Sequence, residues 1–194
     1  MSYKARSHLL KACRQLSPFI EKLPVIKLQK KKSIHPVNAI SEVVIGQMLS
    51  RDAARSIRNR AYNLSESKGY DYIANLSIED LRAAGLSGGK IKTIKLVLDA
   101  FKKDPQRINQ WPILTYEELR TDVSSFWGIS DWTASILSLF YFGNPDVFPS
   151  KDGSIIRVTK KLEEIGAFFN ADEARPYRSY LALYLWSILD NEII

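Results

Sequence analysis

Helix-start and helix-stop signals recur along this sequence, and nowhere do apolar and polar residues alternate over a stretch long enough for a sheet. Ser77-Ile-Glu-Asp80 and Thr115-Tyr-Glu-Glu118 each pair a capping hydroxyl with an acid three residues later, the reciprocal arrangement that opens a helix. Gly85 suits a helix stop, and Ser87-Gly-Gly-Lys90 opens a helix to about Lys103 with Ile91, Ile94, Leu98 and Phe101 on one face. Pro36 fits the first position of a helix running to about Ser50. Arg51 to about Leu64 follows, with Ala53, Ala54, Ile57 and Ala61 at helical spacing. Residues 3–16 form a first helix stopped by Ser17-Pro18, and Asp131 or Ser130 caps one that ends at Gly143. Asp152 precedes a helix from Gly153 to about Ile165, and Pro176 opens the last, to about Leu189. The expectation is an all-α chain in short pieces.

A chain of 194 residues makes one ordinary domain or two small halves. It buries roughly two-thirds of its unfolded surface without help from a metal or disulfide. The single cysteine, Cys13, excludes a disulfide framework and any four-cysteine zinc or iron–sulfur site, and suits a reducing compartment. Residues 1–16 are too charged for a signal peptide, and the longest apolar run, Ile136 to Phe142, is too short to cross a bilayer. A soluble intracellular protein is expected.

The net charge of +7 invites a polyanionic partner, and its location narrows the inference. Residues 1–35 hold nine Lys or Arg (Lys4, Arg6, Lys11, Arg14, Lys22, Lys27, Lys30, Lys31, Lys32) against Glu21 alone, while the rest holds 19 basic and 20 acidic side chains. The excess therefore sits in residues 1–35, a basic arm or helix, ahead of a nearly neutral body over residues 36–190. Such an arm is either a solvated tail or a set of DNA phosphate contacts.

Two segments carry chemistry. In Phe126-Trp127-Gly128-Ile129-Ser130-Asp131-Trp132-Thr133-Ala134 a helix ends, a glycine turn follows and a new helix starts at once, a helix–hairpin–helix at about residues 120–142. That turn is either a plain connector or a phosphate site built from backbone N–H groups and a helix N-terminus. Eleven residues past Ala134 begins Pro145-Asp-Val-Phe-Pro-Ser-Lys-Asp152, with Gly-Ser-Ile-Ile-Arg-Val158 as the next helix. Asp152 stands where a helix N-cap belongs, so capping alone would account for it.

Taken together, these segments resemble the HhH-GPD superfamily of base-excision DNA glycosylases, and more narrowly its alkyladenine (3-methyladenine DNA glycosylase II) branch. Val44-Ile-Gly-Gln-Met-Leu-Ser50, Leu81-Arg-Ala-Ala-Gly-Leu-Ser87 with Lys90, and Arg175-Pro-Tyr-Arg-Ser-Tyr-Leu-Ala-Leu-Tyr-Leu-Trp186 are similar to three further stretches of that branch. The match runs from about Pro36 to Trp186. The resemblance implies an all-α fold of two helical halves with the active site in the cleft between them. It also implies a monofunctional enzyme that flips a damaged, alkylated purine out of double-stranded DNA and hydrolyses its N-glycosidic bond. Asp152 matches the catalytic aspartate; Trp132, Trp186 and Ile136 match the base pocket; Gln47 and Met48 match the residues that fill the gap left by the flipped nucleotide. Read from spacing alone, Trp186 and Met48 fit core positions equally well.

Gly128, Ile129, Ser130 and Thr133 match the phosphate-binding hairpin, which in the family often carries a monovalent cation on its turn carbonyls. Trp127 stands where the family has Pro, and Ser130 where it has a second Gly, tolerable if its φ is negative. Trp132 occupies the place of the lysine nucleophile of bifunctional members, so no Schiff base is expected there. Lys151, beside Asp152, points in another direction. No four-cysteine cluster follows Trp186, so no iron–sulfur cofactor is expected. Only about 35 residues precede the match, too few for the N-terminal β-domain the branch often carries. Arg157, Lys160 and Lys161 make either a solvated face or strand contacts. A monomer in the nucleoid or nucleus is expected. Two competing readings remain: a non-catalytic helix–hairpin–helix DNA-binding module, and a bifunctional lyase.

Overall fold

The computed structural model describes Met1–Gln29 and Ile34–Ile194, and its order of helices follows the capping signals closely. They are α1 (Ser2–Ala12), α2 (Ser17–Ile20), α3 (Pro36–Gly46), α4 (Arg51–Ser67), α5 (Ile78–Ala83) and α6 (Gly88–Lys103), then α7 (Pro105–Asn109), α8 (Tyr116–Val123), α9 (Asp131–Ile136), α10 (Gly153–Glu164) and α11 (Arg178–Asp190). No strand occurs among the described residues, and none of the helices is long and apolar enough to cross a membrane. Both capping boxes form, Ser77 with Asp80 and Thr115 with Glu118, and Ser87 accepts from the Lys90 amide. Gly85 takes φ 103° at the end of α5, a left-handed conformation that favours glycine.

The chain divides into two units, one made of residues 1–31 and 138–194, the other of residues 32–137. In the first, Leu9 of α1, Leu16, and Ile20 of α2 are buried in one core with Ile155, Val158 and Leu162 of α10 and Leu181, Leu185 and Ile188 of α11. Of the basic arm or helix expected over residues 1–35, the described part is helical over Ser2–Ala12 and Ser17–Ile20. The apolar side of the segment packs away, while Lys4, Lys11, Arg14, Lys22 and Lys27 stay exposed. Arg6 donates to the carbonyls of Ile20 and Glu21. Lys30, Lys31 and Lys32 lie outside the described residues. Ser17-Pro18 does not stop the chain's helical path. Pro is tolerated in a first turn, and α2 starts there.

In the second unit α3 is buried from Pro36 through Ile45, the pattern of a helix enclosed on all sides. It packs against α4, α6, α7 and α9. It ends at Gly46, four residues short of the expected Ser50, because Gln47 swings to ψ 131°, and Met48 then turns to φ 55°. After α9 the helix widens into a π-helix over Leu137–Phe142 and stops at Gly143 with φ 73°. Pro176 does not open the last helix: the Arg175–Pro176 bond is cis, and α11 begins at Arg178.

Candidate functional site

Asp152 and the residues that hold it belong to the first unit. Asp152 is half-buried and is the N-cap of α10. Its Oδ1 accepts from the amides of Ser154 at 3.0 Å and Ile155 at 3.1 Å, so the capping reading holds. The same oxygen accepts from the Trp186 indole N–H at 3.0 Å, a contact that capping does not need. Trp186 is half-buried, and Phe140 of the π-helix stacks on it with ring centroids 5.5 Å apart and planes at 25°. The indole packs against the core of the first unit without being enclosed by it. Its edge is committed to the carboxylate and one face to Phe140.

The segment leading into Asp152 is fastened to the first turn of α11. Arg178 donates from Nε to Asp146 Oδ1 at 2.8 Å, from Nη2 to Oδ2 at 3.2 Å, and from Nη2 to the Asp146 carbonyl at 2.9 Å. Ser179 donates its hydroxyl to the Asn144 carbonyl at 2.7 Å and accepts from the Val147 amide at 2.9 Å. The Ser179 amide donates to the Pro145 carbonyl at 3.0 Å. One helix thus holds the approach to Asp152 with its first turn and the carboxylate itself with Trp186, two turns later. Lys151 is exposed in the turn before Asp152. Arg157 and Lys160 are exposed on α10, and Lys161 donates to the Ile194 carbonyl.

The second unit holds the hairpin and the turn after α3. Met48 is 100 % exposed, which rules out core packing. A left-handed backbone at a residue other than glycine costs about 1–2 kcal/mol, and here it aims an unbranched apolar side chain into solvent. Two side chains fix the base of this turn. Lys90 donates to the Ile45 carbonyl at the end of α3 at 2.8 Å, and burial lowers its pKa below the usual lysine range. Gln47 donates to the Gly128 carbonyl at 3.1 Å and to the Thr133 hydroxyl at 2.9 Å, tying the Met48 turn to the hairpin.

Gly128 needs its lack of a side chain twice over. Its φ is 80°, and a Cβ there would stand 2.4 Å from Thr93 Oγ1. That hydroxyl donates to the Trp127 carbonyl at 3.0 Å. Ser130 has φ −114°, so the family's glycine is not needed at that position. The Ile129 amide, expected to face a phosphate, donates inward to the Phe126 carbonyl at 3.2 Å, and its side chain is buried. The Thr133 side chain is fully buried and engaged by Gln47, so what it can offer a phosphate is its backbone N–H in the first turn of α9. Gly128 and Ser130 are exposed, and Trp132 and Ile136 are half-buried on α9.

Behind the hairpin, Asp122 of α8 accepts from Arg107 Nε at 2.8 Å and from the Trp111 indole at 2.6 Å, while the Arg107 guanidinium lies 5.0 Å from the Phe126 ring. Among the described residues no three His, Cys, Asp or Glu side chains gather as metal ligands would. The turn carbonyls of Phe126, Trp127 and Gly128 accept from the Ile129 amide, the Thr93 hydroxyl and the Gln47 side-chain amide; a carbonyl oxygen has two lone pairs, and such a row of oxygens is the donor type a weakly held cation takes.

Local spacing carried no signal for Phe140, Thr93, Arg178 or Arg107. Their partners lie on other elements, and only the matched motif around Arg178 marked that position at all.

No protein-family model matches the sequence. Over 95 % of this chain and 92 % of the relative, it is 25 % identical to the alkylbase DNA glycosidase-like protein mag2 of Schizosaccharomyces pombe. It is 27 % identical to DNA-3-methyladenine glycosylase 1 of the same yeast, over 84 % of this chain and 75 % of that one. Among solved structures, the Schizosaccharomyces pombe 3-methyladenine DNA glycosylase in complex with abasic DNA superposes with a TM-score of 0.81 at 25 % identity, covering 96 % of this chain and 97 % of that one.

Proposed function

We infer that this chain is an alkyladenine-type DNA glycosylase of the helix–hairpin–helix class, an enzyme of base excision repair, and that it acts as a simple hydrolase on alkylated purines. The observation that carries the reading is the Asp152 carboxylate, held by two amides of its own helix and by the Trp186 indole. A residue that only capped a helix would not be gripped by a tryptophan from α11.

The chemistry follows from the charge of the substrate. An N-alkylated purine carries positive charge, so when the C1′–N bond breaks its electron pair leaves with the base, which departs neutral. The positive charge passes to the sugar as an oxocarbenium-like centre. A fixed carboxylate beside C1′ stabilises that centre and orients the water that adds to it, whose proton then passes to the carboxylate or to solvent. No general acid is needed for such a leaving group, in contrast to most glycoside hydrolysis, where a second carboxyl protonates it. The family resemblance assigns Trp186, Trp132 and Ile136 to base recognition, and the electron-rich face of an indole suits a cationic base. Trp132 in the place of the lysine nucleophile leaves no amine there to form a Schiff base.

DNA is the partner, and the damaged duplex is gripped by the second unit. Met48 fills the gap left by the extruded nucleotide and offsets part of its unstacking cost. The amides of Gly128, Ser130 and the first turn of α9, Thr133 included, hold a phosphate, with a monovalent cation sharing the turn carbonyls. The protein works as a monomer, without a redox or organic cofactor, in the nucleoid or nucleus where its substrate lies.

The test is base release. Incubation with methylated duplex should yield alkali-labile abasic sites, and borohydride should trap no covalent adduct. A trapped adduct would replace the hydrolase by a lyase. Tight binding to duplex without base release would make the chain a DNA-binding module.

A further inference from the structure

Trp127 is the hairpin residue for which the site above has no use, and it departs from the proline of the resembling family. It is 52 % exposed at the tip of the turn, an unusual place to leave an indole. Yet it is held firmly. Its ring edge rests against Gly89, where a Cβ would stand 3.4 Å from the ring, and its carbonyl accepts from Thr93. The Lys92 ammonium lies 4.3 Å from the ring centroid. Lys92 also lines a shallow groove of about 310 Å³ between α5 and α6, together with exposed Arg82 and the apolar Ile78 and Leu96. Lys95 is turned inward to the carbonyls of Ala74 and Leu76. The groove's acid, Asp99, lies seven residues along α6 from Lys92, about 10 Å further from the hairpin by helical rise.

We propose that Trp127 and Lys92, with Arg82, form a second strand-contact surface that continues the hairpin's phosphate site along the same DNA strand, outside the lesion. An aromatic plane flanked by cations is the arrangement that tracks a nucleic-acid backbone: the indole packs on a sugar or base face, and the cations neutralise phosphates on either side. Duplex is favoured over an acidic protein partner because the patch is continuous with Gly128, the next residue after Trp127. The surface contributes sequence-independent affinity and register, and it rests on the hairpin holding a phosphate.

The salt dependence of binding to undamaged duplex tests it. A variant carrying Lys92→Ala and Arg82→Ala should flatten the slope of log Kd against log salt by about 1.8, two phosphate contacts at about 0.9 each. Lys103→Ala, which removes one charge at the exposed far end of α6, should leave the slope alone. Trp127→Phe should weaken binding severalfold and remove part of the tryptophan fluorescence change on adding DNA. A double variant with the wild-type slope, or a Lys103→Ala variant matching it, overturns the proposal. So does a Trp127→Phe variant with an undiminished fluorescence change. Undamaged duplex needs no base release. Failure here with base release intact would remove only this surface, and the reverse outcome would remove only the glycosylase reading.

Discussion

The two units build their functional surfaces by opposite means. In the first, Asp152 and Trp186 are half-buried and held by the protein: three donors converge on one carboxylate oxygen, and Phe140 backs one face of the indole. In the second, Met48 is exposed on a strained backbone and Trp127 stands half out of the surface. The contrast is the one the proposed roles require. A group that stabilises charge in a transition state acts by being fixed beforehand, so donors surround it. A wedge, the role proposed for Met48, must enter another molecule, so it can be fixed only at its root, here through Gln47 and Lys90.

The sharpest way to break this division is Asp152→Asn. Single-turnover base release should fall by at least about 10²–10³-fold, while the affinity for abasic duplex, measured by titration, stays near that of the wild type. A parallel loss of affinity would mean the first unit also grips DNA.

Next comes the anchor of the approach segment. Arg178→Ala leaves the half-buried Asp146 carboxylate without its bidentate partner, at a cost of about 1–3 kcal/mol in unfolding free energy. By loosening the lead into Asp152 it should also lower the single-turnover rate roughly tenfold, equivalent to about 1.4 kcal/mol. Equal rates at saturating enzyme would show that the strap serves stability alone.

Met48→Gly sharpens the comparison because stability and function should move apart. Removing the left-handed strain stabilises the protein by up to about 1 kcal/mol in denaturant titration. Losing the wedge should slow base release from paired lesions more than from mismatched ones, since a mismatched base costs less to extrude. A variant that is both less stable and unchanged in rate would contradict the assigned role.

The smallest effect lies at the start of α3, where His35 Nδ1 accepts from the Val37 amide as the N-cap and its ring joins those of Tyr72 and Phe101 in a three-ring cluster. Burial lowers its pKa below the usual 6.5. A depressed histidine pKa means the folded state binds fewer protons, so its contribution is present above 6.5 and fades as pH falls through the folded value. Melting temperature should therefore decline below about pH 6.5 in the wild type and less steeply in His35→Asn, which caps without titrating.

Removing the N-terminal segment is not a clean probe of its charge. Leu9, Leu16 and Ile20 belong to the core that supports α10 and α11, so deletion would expose that core. Charge changes at exposed Lys4 or Lys11 are the usable alternative.

The sequence by itself determined what depends on neighbours along the chain. Capping boxes at Ser77 and Thr115, the stops at Gly85 and Gly143, and the N-cap at Asp152 are interactions spanning three or four residues, so spacing alone reveals them. The chain's overall likeness to a glycosylase was legible because several such motifs fall in order. Tertiary structure decided the rest, because the partners are far apart: 34 residues from Asp152 to Trp186, 32 from Asp146 to Arg178, 81 from Gln47 to Gly128. It also decided that residues 1–29 pack into a core rather than trail as an arm, and that Met48 leaves the helical pattern its neighbours suggest. Burial and backbone strain are set by what surrounds a residue in space, and helical periodicity records only which side of its own helix it occupies.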